Sequence, residues 1–474
     1  MAVALPRFVV LKSVCENKYL NFTNGEDDSL PVGFMKFNGV DIVSPFAKFE
    51  LERAKSTVAK QKGWVHIRCC YNNKYWVKAN GMLWVVAGAE EPEEDQYKPS
   101  CTLFKVEKNK SNVGFRHIQL GKFACLSRAG AQQFRGGMYL LSATLDKNLC
   151  LLYTPMNWEN LVVFPKRVAF KGDNGRYLCS RIIDGYPYLQ FAETARDETA
   201  EFEVTTIGNG CVRIKSLFSG KFWRRKPNWI WADSSDESGK DPNVLFWPVK
   251  ISNNVVALRN MGNNYFCKRL TAEGKTSCLN AGTPSIASTA QLVMEELVIS
   301  RKISHIDFQL PYARVYNEQL IALANGGATN EDYGTESKSF TLKLVYTEVK
   351  TTSWSNSVSF SLGAKTAIQI SAVPLIAEGK IELSVDYTTS HEWGETHSTQ
   401  QSVEASYTVT VPPRTRTNVS MVATRASCDV PFSYTQTDIL SNGVPVTKIL
   451  HDGVFTGGNY FNFDFKEKQV KLKM

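Results

Sequence analysis

The sequence of 474 residues predicts an all-β protein, and three observations support that prediction. Glycine and aromatic residues are abundant, with 31 Gly, 26 Phe, 18 Tyr and 10 Trp, which is typical of short strands joined by turns. A short phrase of residues recurs through the first two thirds of the chain. In the last third, long runs alternate apolar and polar residues with the period of a β-strand.

Composition excludes several classes of protein. Apolar residues make up 43% and charged residues 21% of the chain, which is typical of globular proteins and excludes a mainly disordered chain. No run of residues is apolar for the roughly 18 positions that a transmembrane helix needs. The formal net charge is +9, but acidic and basic residues are interspersed, so we expect no nucleic-acid partner.

The recurring phrase consists of two or three alternating apolar residues, a turn with Asn or Gly, a basic residue or Asn, and then an aromatic residue. The aromatic positions are Tyr19, Tyr75, Phe123, Tyr177, Phe222 and Tyr265. Three repeats of about 40–50 residues, occurring twice, predict two three-fold units, because no single repeat can bury its own apolar face. We expect the six aromatic residues in the cores of these units.

A β-trefoil fits each unit of about 140 residues. A propeller has repeats of similar length, but residues 153–160 interrupt the series, and six continuous blades would not need a break. We therefore predict a first trefoil at 1–152, a linker at 153–160, a second trefoil at 161–297 and a third domain at 298–474.

Seven short phrases resemble the amaranthin-like plant lectins and occur in that family's order, three in the first domain and four in the second. They are VHIRCCYNNKY at 65–75, EPEE at 91–94, CTLFK at 101–105, FPK at 164–166, FKGDNGRYL at 170–178, KFWR at 221–224 and NWI at 228–230. The resemblance implies two β-trefoil agglutinin domains and a head-to-tail dimer. It also implies a shallow site for a galactosyl-GalNAc disaccharide between the first domain of one chain and the second of the other.

A lectin site needs an aromatic face against the sugar and side chains that hydrogen-bond its hydroxyl groups. The resemblance assigns carbohydrate binding to Asn80, Trp84, Trp229, Trp231 and Asp233. Each tryptophan could instead be a buried staple that holds hairpins together, and both interpretations stay open. Met82 and Leu83 stand where the family has polar or aromatic neighbours, so this loop departs from the family pattern.

The last third of the chain has a different composition. Between residues 335 and 435, 32 of 101 residues are Ser or Thr. The runs at 339–346 and 403–413 alternate in polarity and predict strands longer than the usual five or six residues. Long strands predict an elongated sheet.

A hairpin at about 357–388 carries the functional prediction for the third domain. Alternation from 357 to 372 leads to an apolar tip at 373–379, and Ala372 is expected to pair with Ile381 on the return strand. A membrane-spanning strand needs about 9–11 residues, apolar toward lipid and polar toward the lumen. The predicted membrane-inserting residues are Val358, Phe360, Leu362, Ile368, Ile370, Val373, Pro374, Leu375, Ile376, Ile381, Leu383, Val385 and Tyr387. The alternative is a water-soluble sheet whose apolar face packs on a neighbouring layer.

The Ser/Thr-rich flanks, the amphipathic hairpin and its place behind a lectin resemble the aerolysin-type pore-forming module. The resemblance implies an elongated aerolysin-like sheet domain whose chains assemble into a ring on a membrane. Each subunit would donate one hairpin to a closed barrel. Closure is required because an open sheet edge in lipid would leave backbone groups unpaired.

Catalytic and metal-binding patterns are missing from the sequence. GKT at 274–276 imitates the end of a P-loop, but Arg269 stands at the position of its first glycine, and the six His residues are dispersed. We expect no enzyme activity, no cofactor and no metal. The eleven cysteines contain no Cys-x-x-Cys pair and no signal peptide is evident, so we expect free thiols and a cytoplasmic location in the producing cell.

Together these features predict a lectin that binds galactose- and GalNAc-containing glycans, forms homo-oligomers and inserts a β-barrel pore at target membranes in plant defence. The homo-oligomer is expected as a dimer through the lectin domains and as a ring in the pore. The alternative is a cytosolic structural or interaction protein with tandem trefoils, similar to the actin-bundling fascins. In that case the third domain is an oligomerisation module that never enters a membrane.

Overall fold

The computed structural model describes residues 5–23, 29–145, 150–252, 254–356, 366–368, 370–385 and 391–473. They form two compact units, one with both trefoils and residues 437–447, the other with most of the third domain. The fold is nearly all β, as predicted. In the described part of the chain the single α-helix, α1 (Thr57–Gln61), has five residues, and no helix has the length and apolar character to cross a membrane.

The first trefoil is a six-stranded barrel capped by three hairpins. Its strands are β1 (Phe8–Ser13), β2 (Tyr19–Phe22), β3 (Met35–Gly39), β4 (Phe49–Arg53), β5 (Val65–Cys69), β6 (Tyr75–Lys78), β7 (Val85–Ala89), β8 (Phe104–Asn109), β9 (Asn112–His117), β10 (Phe123–Leu126), β11 (Met138–Ser142) and β12 (Tyr153–Asn157). Antiparallel pairing runs from β1 through β4, β5, β8, β9 and β12 back to β1, which closes the barrel. The pairs β2–β3, β6–β7 and β10–β11 form the cap.

The second trefoil repeats this plan. Its strands are β13 (Arg167–Lys171), β14 (Tyr177–Ile183), β15 (Tyr186–Glu193), β16 (Phe202–Thr206), β17 (Val212–Ser216), β18 (Phe222–Lys226), β19 (Trp229–Ser234), β20 (Phe246–Lys250), β21 (Val255–Asn260), β22 (Phe266–Ala272), β23 (Lys275–Thr283) and β24 (Leu292–Glu296). The barrel runs from β13 through β16, β17, β20, β21 and β24 back to β13. The pairs β14–β15, β18–β19 and β22–β23 form the cap.

The repeated aromatic residue begins each capping hairpin, opposite a basic residue of the preceding barrel strand. The pairs are Lys12–Tyr19, Arg68–Tyr75, Arg116–Phe123, Lys171–Tyr177, Lys215–Phe222 and Arg259–Phe266. Core burial is confirmed for the first five predicted aromatics. It is wrong for Tyr265, which is 44% exposed. Phe266 takes its place opposite Arg259 but is only half-buried, and the next residue, Cys267, lies in the core. A shift of one residue along a strand turns a side chain to the opposite face.

Residues 153–160 are not a linker, in contrast to the prediction. Tyr153–Asn157 forms β12, whose pairing with β1 closes the first barrel. Trp158 follows in a 3-10 turn, is 4% exposed and packs with Val10 and Tyr19. This segment departs from the repeated phrase because it is the closing strand, which pairs with the first strand of the same barrel.

A disulfide joins Cys15, which follows β1, to Cys150, which precedes β12, with the two Cα atoms 5.5 Å apart. The expectation of free thiols is therefore wrong for this pair. Since 135 residues separate the two cysteines, only the closure of the barrel brings them together. The other cysteines are not disulfide-bonded. Burial raises the pKa of the Cys69 thiol to about 12, so that this thiol stays protonated.

The third domain is built on very long strands, as the alternating runs predict. Its strands are β25 (Val298–Phe308), β26 (Arg314–Asn330), β27 (Lys338–Asn356), β28 (Thr366–Ile368), β29 (Ala372–Ala377), β30 (Lys380–Val385), β31 (His391–Glu392), β32 (Thr396–Val411), β33 (Thr415–Leu440) and β34 (Pro445–Lys471). The main sheet has the order β31-β28-β25-β33-β34-β27-β32, with β26 also paired to β33. A separate two-stranded sheet contains β29 and β30.

Two apolar cores lie in the described part of the third domain. One contains Val409, Val411 and Val419 with neighbours from β26 and β27. The other, here called the hairpin core, consists of Ile303, Trp354, Ile368, Val373, Ile376, Ala426, Cys428, Val430, Phe432, Tyr434, Phe455 and Phe461. Gly453 is required there, because a Cβ atom at that position would come within 2.4 Å of the Phe432 ring.

Candidate glycan-binding and membrane-insertion sites

Trp84, a predicted sugar contact, lies just before β7 in the cap of the first trefoil. Its ring stacks on Phe134, with centroids 5.3 Å apart, and meets Phe34 and Tyr139 edge-on at 5.4 and 4.8 Å. These rings come from all three capping hairpins or their flanks, and this packing corresponds to the staple interpretation. A sugar contact by Trp84 stays a prediction.

Asn80 is exposed in the turn between β6 and β7 and lines a groove of about 660 Å³. The groove also contains Lys78 and Ser100, with Met82 and Val32 among its apolar walls. Trp84 is not one of the residues that line it. The structure therefore separates the two residues of this loop: Asn80 lines a groove, whereas the Trp84 indole packs on other rings.

In the second trefoil, Trp229, Trp231 and Asp233 alternate along β19 and share one face of the strand. Trp229 is 5% exposed, and its indole N–H donates to Glu273 Oε2 at 3.0 Å. Asp233 accepts two hydrogen bonds from Arg224, at 3.0 and 2.5 Å. Trp231 is half-buried. It is therefore the member of this trio that the geometry leaves best placed to meet a sugar.

Tyr186 completes an aromatic surface that sequence reasoning missed. Its ring stacks on Trp231, with centroids 4.7 Å apart, and the residue is 51% exposed. The sequence signal that could have revealed this hairpin is the Asp184-Gly185 pair between an apolar and an aromatic segment. In the structure both residues have positive φ, 49° and 78°, as a two-residue hairpin turn requires. A half-exposed aromatic stack offers a flat apolar face on which a sugar ring can lie.

The EPEE phrase at 91–94 fixes a loop on the first barrel. Glu94 accepts hydrogen bonds from the N–H groups of Lys55 and Ser56, at 2.5 and 2.7 Å, and lies 3.3 Å from His66 Nε2. Burial by itself would raise the pKa of Glu94, but the hydrogen bonds from Ser56, Lys55 and His66 lower it to about 2. Glu94 is therefore an ionised anchor between the loop and the start of α1.

Of the hairpin predicted at 357–388, the structure describes a two-stranded part at 372–385, and its register differs from the prediction. β29 and β30 pair from Ala372↔Val385 to Ile376↔Ile381. The predicted pairing of Ala372 with Ile381 is therefore wrong. The reason is the turn: residues 378 and 379 both have positive φ, 49° and 78°, and form a tight two-residue turn in place of the predicted apolar tip.

The two arms of the hairpin are joined by two ladders. Besides β29–β30, β28 pairs with β31 through Ile368↔His391. Three residues separate β28 from β29 and five separate β30 from β31, so the register shifts by two residues between the ladders. The predicted long continuous strand is therefore interrupted here. Val358, Phe360, Leu362 and Tyr387 of the predicted set lie outside the described residues.

The two arms differ in burial. Ile368, Val373 and Ile376 are 3%, 7% and 2% exposed and belong to the hairpin core, whereas Leu383 and Val385 are 46% and 63% exposed. Of the remaining predicted residues, Pro374 is buried and Ile370, Leu375 and Ile381 are half-buried. The hairpin is therefore docked on the domain chiefly by its first arm.

Asn459 of β34 is a further residue that sequence reasoning missed. Its side chain is 6% exposed and hydrogen-bonds the backbone of Ile376. The sequence pattern that could have identified Asn459 is a polar residue at an inward-facing position of an alternating strand. It lies two residues after Gly457 and two before Phe461, which face the same way. Such a buried amide must have partners, and two of the three hydrogen bonds of this side chain join it to the hairpin.

The family model of the agglutinin domain matches residues 3–151 and 162–299, together more than half of the chain. The chain belongs to the agglutinin family. Behind the two agglutinin domains, the model of the aerolysin toxin family matches residues 306–458. The predicted resemblance to a lectin with two agglutinin domains and an aerolysin-type domain is thus confirmed. This agglutinin is a lectin–toxin of the pore-forming type.

The agglutinin is similar to several solved structures at low identity. A lamprey immune protein is 13% identical, with a TM-score of 0.31, over 66% of this chain and 94% of that one. A mosquitocidal holotoxin is 11% identical, with a TM-score of 0.29, over 65% of this chain and 36% of that one. An aerolysin-like protein of Bombina maxima is 10% identical, with a TM-score of 0.24, over 36% of this chain and 98% of that one. No curated protein matches the chain.

Proposed function

We propose that this agglutinin binds galactosyl-GalNAc glycans through its trefoils, assembles into a ring on the membrane and inserts its hairpin into a β-barrel pore. The observation that carries the proposal is the asymmetry of the hairpin. Its first arm is buried in the hairpin core, while Leu383 and Val385 of the second arm remain in water. Transfer to lipid would remove this apolar surface from water, which favours insertion once the ring has formed.

The register of the hairpin supports a lipid face. Ala372, Pro374 and Ile376 lie opposite Val385, Leu383 and Ile381 respectively, so that these six residues share one side. Glu382 and Ser384 of the second arm point to the other side, opposite Leu375 and Val373 of the first arm, so that the second arm alternates in polarity whereas the first is apolar on both sides. The second arm thus has the apolar side and the polar side that a barrel strand needs between lipid and lumen.

The two agglutinin domains supply the targeting step of the proposal. Two weak sugar sites on one chain, and more in a dimer through the lectin domains, raise the effective concentration of the third domain at a glycan-bearing surface. We place the agglutinin in the cytoplasm of a plant cell, from which damage releases it in defence. The Cys15–Cys150 disulfide would then close after release, because the cytosol keeps thiols reduced.

Dye release from liposomes that carry a galactosyl-GalNAc glycolipid tests the insertion step. Leu383→Lys places a charge on the proposed lipid face and costs about 2–4 kcal/mol per subunit in mid-bilayer. Ser384→Lys adds the same charge to the next residue of β30, on the polar side, and is the matched control. Both positions are exposed before insertion, so both variants are expected to fold.

We expect wild type and Ser384→Lys to release dye and Leu383→Lys to release little. Co-sedimentation with the same liposomes checks binding, and cross-linking of the bound protein checks ring assembly. Equal release by the two variants would refute the lipid face. Binding by wild type without any release would instead favour the interaction-protein alternative.

A further inference from the structure

A second groove of the first trefoil, of about 440 Å³, lies beside β8 and β9 and the segment that leads into β5. Its lining residues are Lys62, Trp64, Gln96, Lys105, Arg116, His117, Ile118 and Gly121. We call it the basic groove, because three of these eight residues are cationic and none is a carboxylate. It contains neither Asn80 nor any residue of β19, so it is distinct from the surfaces of the proposed function.

The positive charge in the basic groove is concentrated by the sheet register. Lys105 and Arg116 are direct partners on β8 and β9, and like charges in that arrangement destabilise a sheet. Glu107 lies beside both, with its Oε1 atom 3.0 Å from Lys105 Nζ and 4.0 Å from Arg116 Nη1. One carboxylate neutralises only one of the two cations. Lys62 adds a third positive charge, with its Nζ atom 4.7 Å from the centre of the Trp64 ring.

His117 adds no charge to the groove. It has no exposed surface, its Nε2 atom is 3.0 Å from the Cys101 carbonyl oxygen, and its Nδ1 atom accepts the Leu120 N–H at 3.4 Å. Burial lowers the pKa of His117, which keeps the imidazole neutral near pH 7. The charge of the groove therefore rests on Lys62, Lys105 and Arg116, beside the apolar walls of Trp64 and Ile118.

We propose that the basic groove binds an acidic saccharide through a carboxylate or sulfate group. The cations would hold the anionic group, and Arg116, whose Nε–H donates to the Gly121 carbonyl oxygen at 2.8 Å, would do so through its Nη groups. Ile118 and the small exposed part of Trp64, which is 8% exposed, would contact the sugar ring, and Gln96 would hydrogen-bond a hydroxyl group. A concave site with an aromatic wall and a volume within the range of small-ligand pockets fits a saccharide better than a flat anionic membrane.

Binding of three soluble probes with one common core tests the proposal: lactose, 3′-sialyllactose and 3′-sulfolactose. Lys105→Gln removes one charge from the groove. Lys108→Gln removes the same charge from the same strand but from its opposite face, and serves as the control. Both side chains are exposed, so neither change should impair folding, and thermal unfolding checks this.

We expect an acidic probe to bind wild type more tightly than lactose, with an affinity that falls as salt rises. Lys105→Gln should weaken that binding about tenfold or more, the loss of one charge-assisted hydrogen bond, while Lys108→Gln should not. Equal affinity for all three probes, or equal effects of the two variants, would overturn the proposal. Binding to glycan-free phosphatidylserine liposomes with the same dependence on Lys105 would assign the groove to lipid headgroups instead. Dye release from galactosyl-GalNAc liposomes, which Lys105→Gln should retain, reports separately on the proposed function.

Discussion

The side-chain amide of Asn459 hydrogen-bonds both polar groups of the Ile376 backbone. The Ile376 N–H donates to Asn459 Oδ1 at 3.0 Å, and Asn459 Nδ2 donates to the Ile376 carbonyl oxygen at 2.8 Å. One side chain thus supplies the pair of bonds that a neighbouring strand would provide. Because Ile376 is buried in the hairpin core, each group left unpaired would cost about 1–3 kcal/mol. Asn459 is therefore a latch that holds the hairpin on the third domain.

Opening this latch should ease release of the hairpin. Asn459→Asp keeps the shape of the side chain and can accept the Ile376 N–H, but it cannot donate to the carbonyl oxygen and repels it. We expect the free energy of unfolding of the third domain to fall by about 1–3 kcal/mol and dye release to begin sooner. Thermal unfolding and release kinetics measure the two effects.

Asn325→Asp is the matched control for the latch. Asn325 is an exposed residue of β26 whose Oδ1 atom accepts the Ser420 hydroxyl at 2.7 Å, a bond that aspartate retains. It should leave stability and release unchanged. If Asn459→Asp behaves like Asn325→Asp, the two hydrogen bonds do not restrain the hairpin.

The Tyr186–Trp231 stack should contribute to glycan binding by the second agglutinin domain. Tyr186→Ala removes the exposed ring and should lower affinity for a galactosyl-GalNAc probe by roughly two- to tenfold, the range of a single aromatic contact. Tyr265→Ala removes a comparably exposed tyrosine, 44% against 51%, from the same trefoil and should have no effect. Calorimetric titration compares the two, and equal losses would exclude a sugar contact at this stack.

The first trefoil should lose stability in acid through Glu94. A carboxylate whose pKa is lowered by folding stabilises the folded state above its unfolded pKa. That stability is lost as the pH falls from the ordinary value of 4.5 to the folded value of about 2. Glu94→Gln should therefore unfold more easily than wild type at pH 7, and the difference should shrink toward pH 2. Urea unfolding across this range measures it. Glu91→Gln, an exposed change in the same phrase, should match wild type at every pH.

Reduction should destabilise the first agglutinin domain selectively. The Cys15–Cys150 disulfide joins two residues that are 135 positions apart in the sequence. Loss of a native disulfide lowers the free energy of unfolding by roughly 2–5 kcal/mol. The cysteines of the second trefoil are free, so its unfolding transition is an internal control. Calorimetry with and without dithiothreitol should show one transition moving to lower temperature. A uniform shift of all transitions, or none, would contradict a stabilising role for this bond.

Two of the predictions that failed have a physical origin in common. The spacing of residues alone placed Tyr265 in the core and paired Ala372 with Ile381. The turns, however, decide where each strand begins and which residues of two strands pair. The tight turn at 378–379 moved the pairing partner of Ala372 from Ile381 to Val385, and the strand that begins at Phe266 left Tyr265 outside. Within β29 and β30, Ala372 still shares a side with Ile381, Leu383 and Val385, because the predicted and the observed register differ by an even number of residues.

The sequence by itself determined the order of the domains, the three-fold repeats and the alternation of the long strands, because periodicity and short phrases are local properties. Only the tertiary structure decided which residues that are far apart in the sequence come into contact. Cys15 meets Cys150 and Asn459 meets Ile376, although nothing in the spacing of these pairs foretells it. Such pairs form because barrel closure and sheet register bring distant residues within a few ångströms, and register depends on the whole sheet at once.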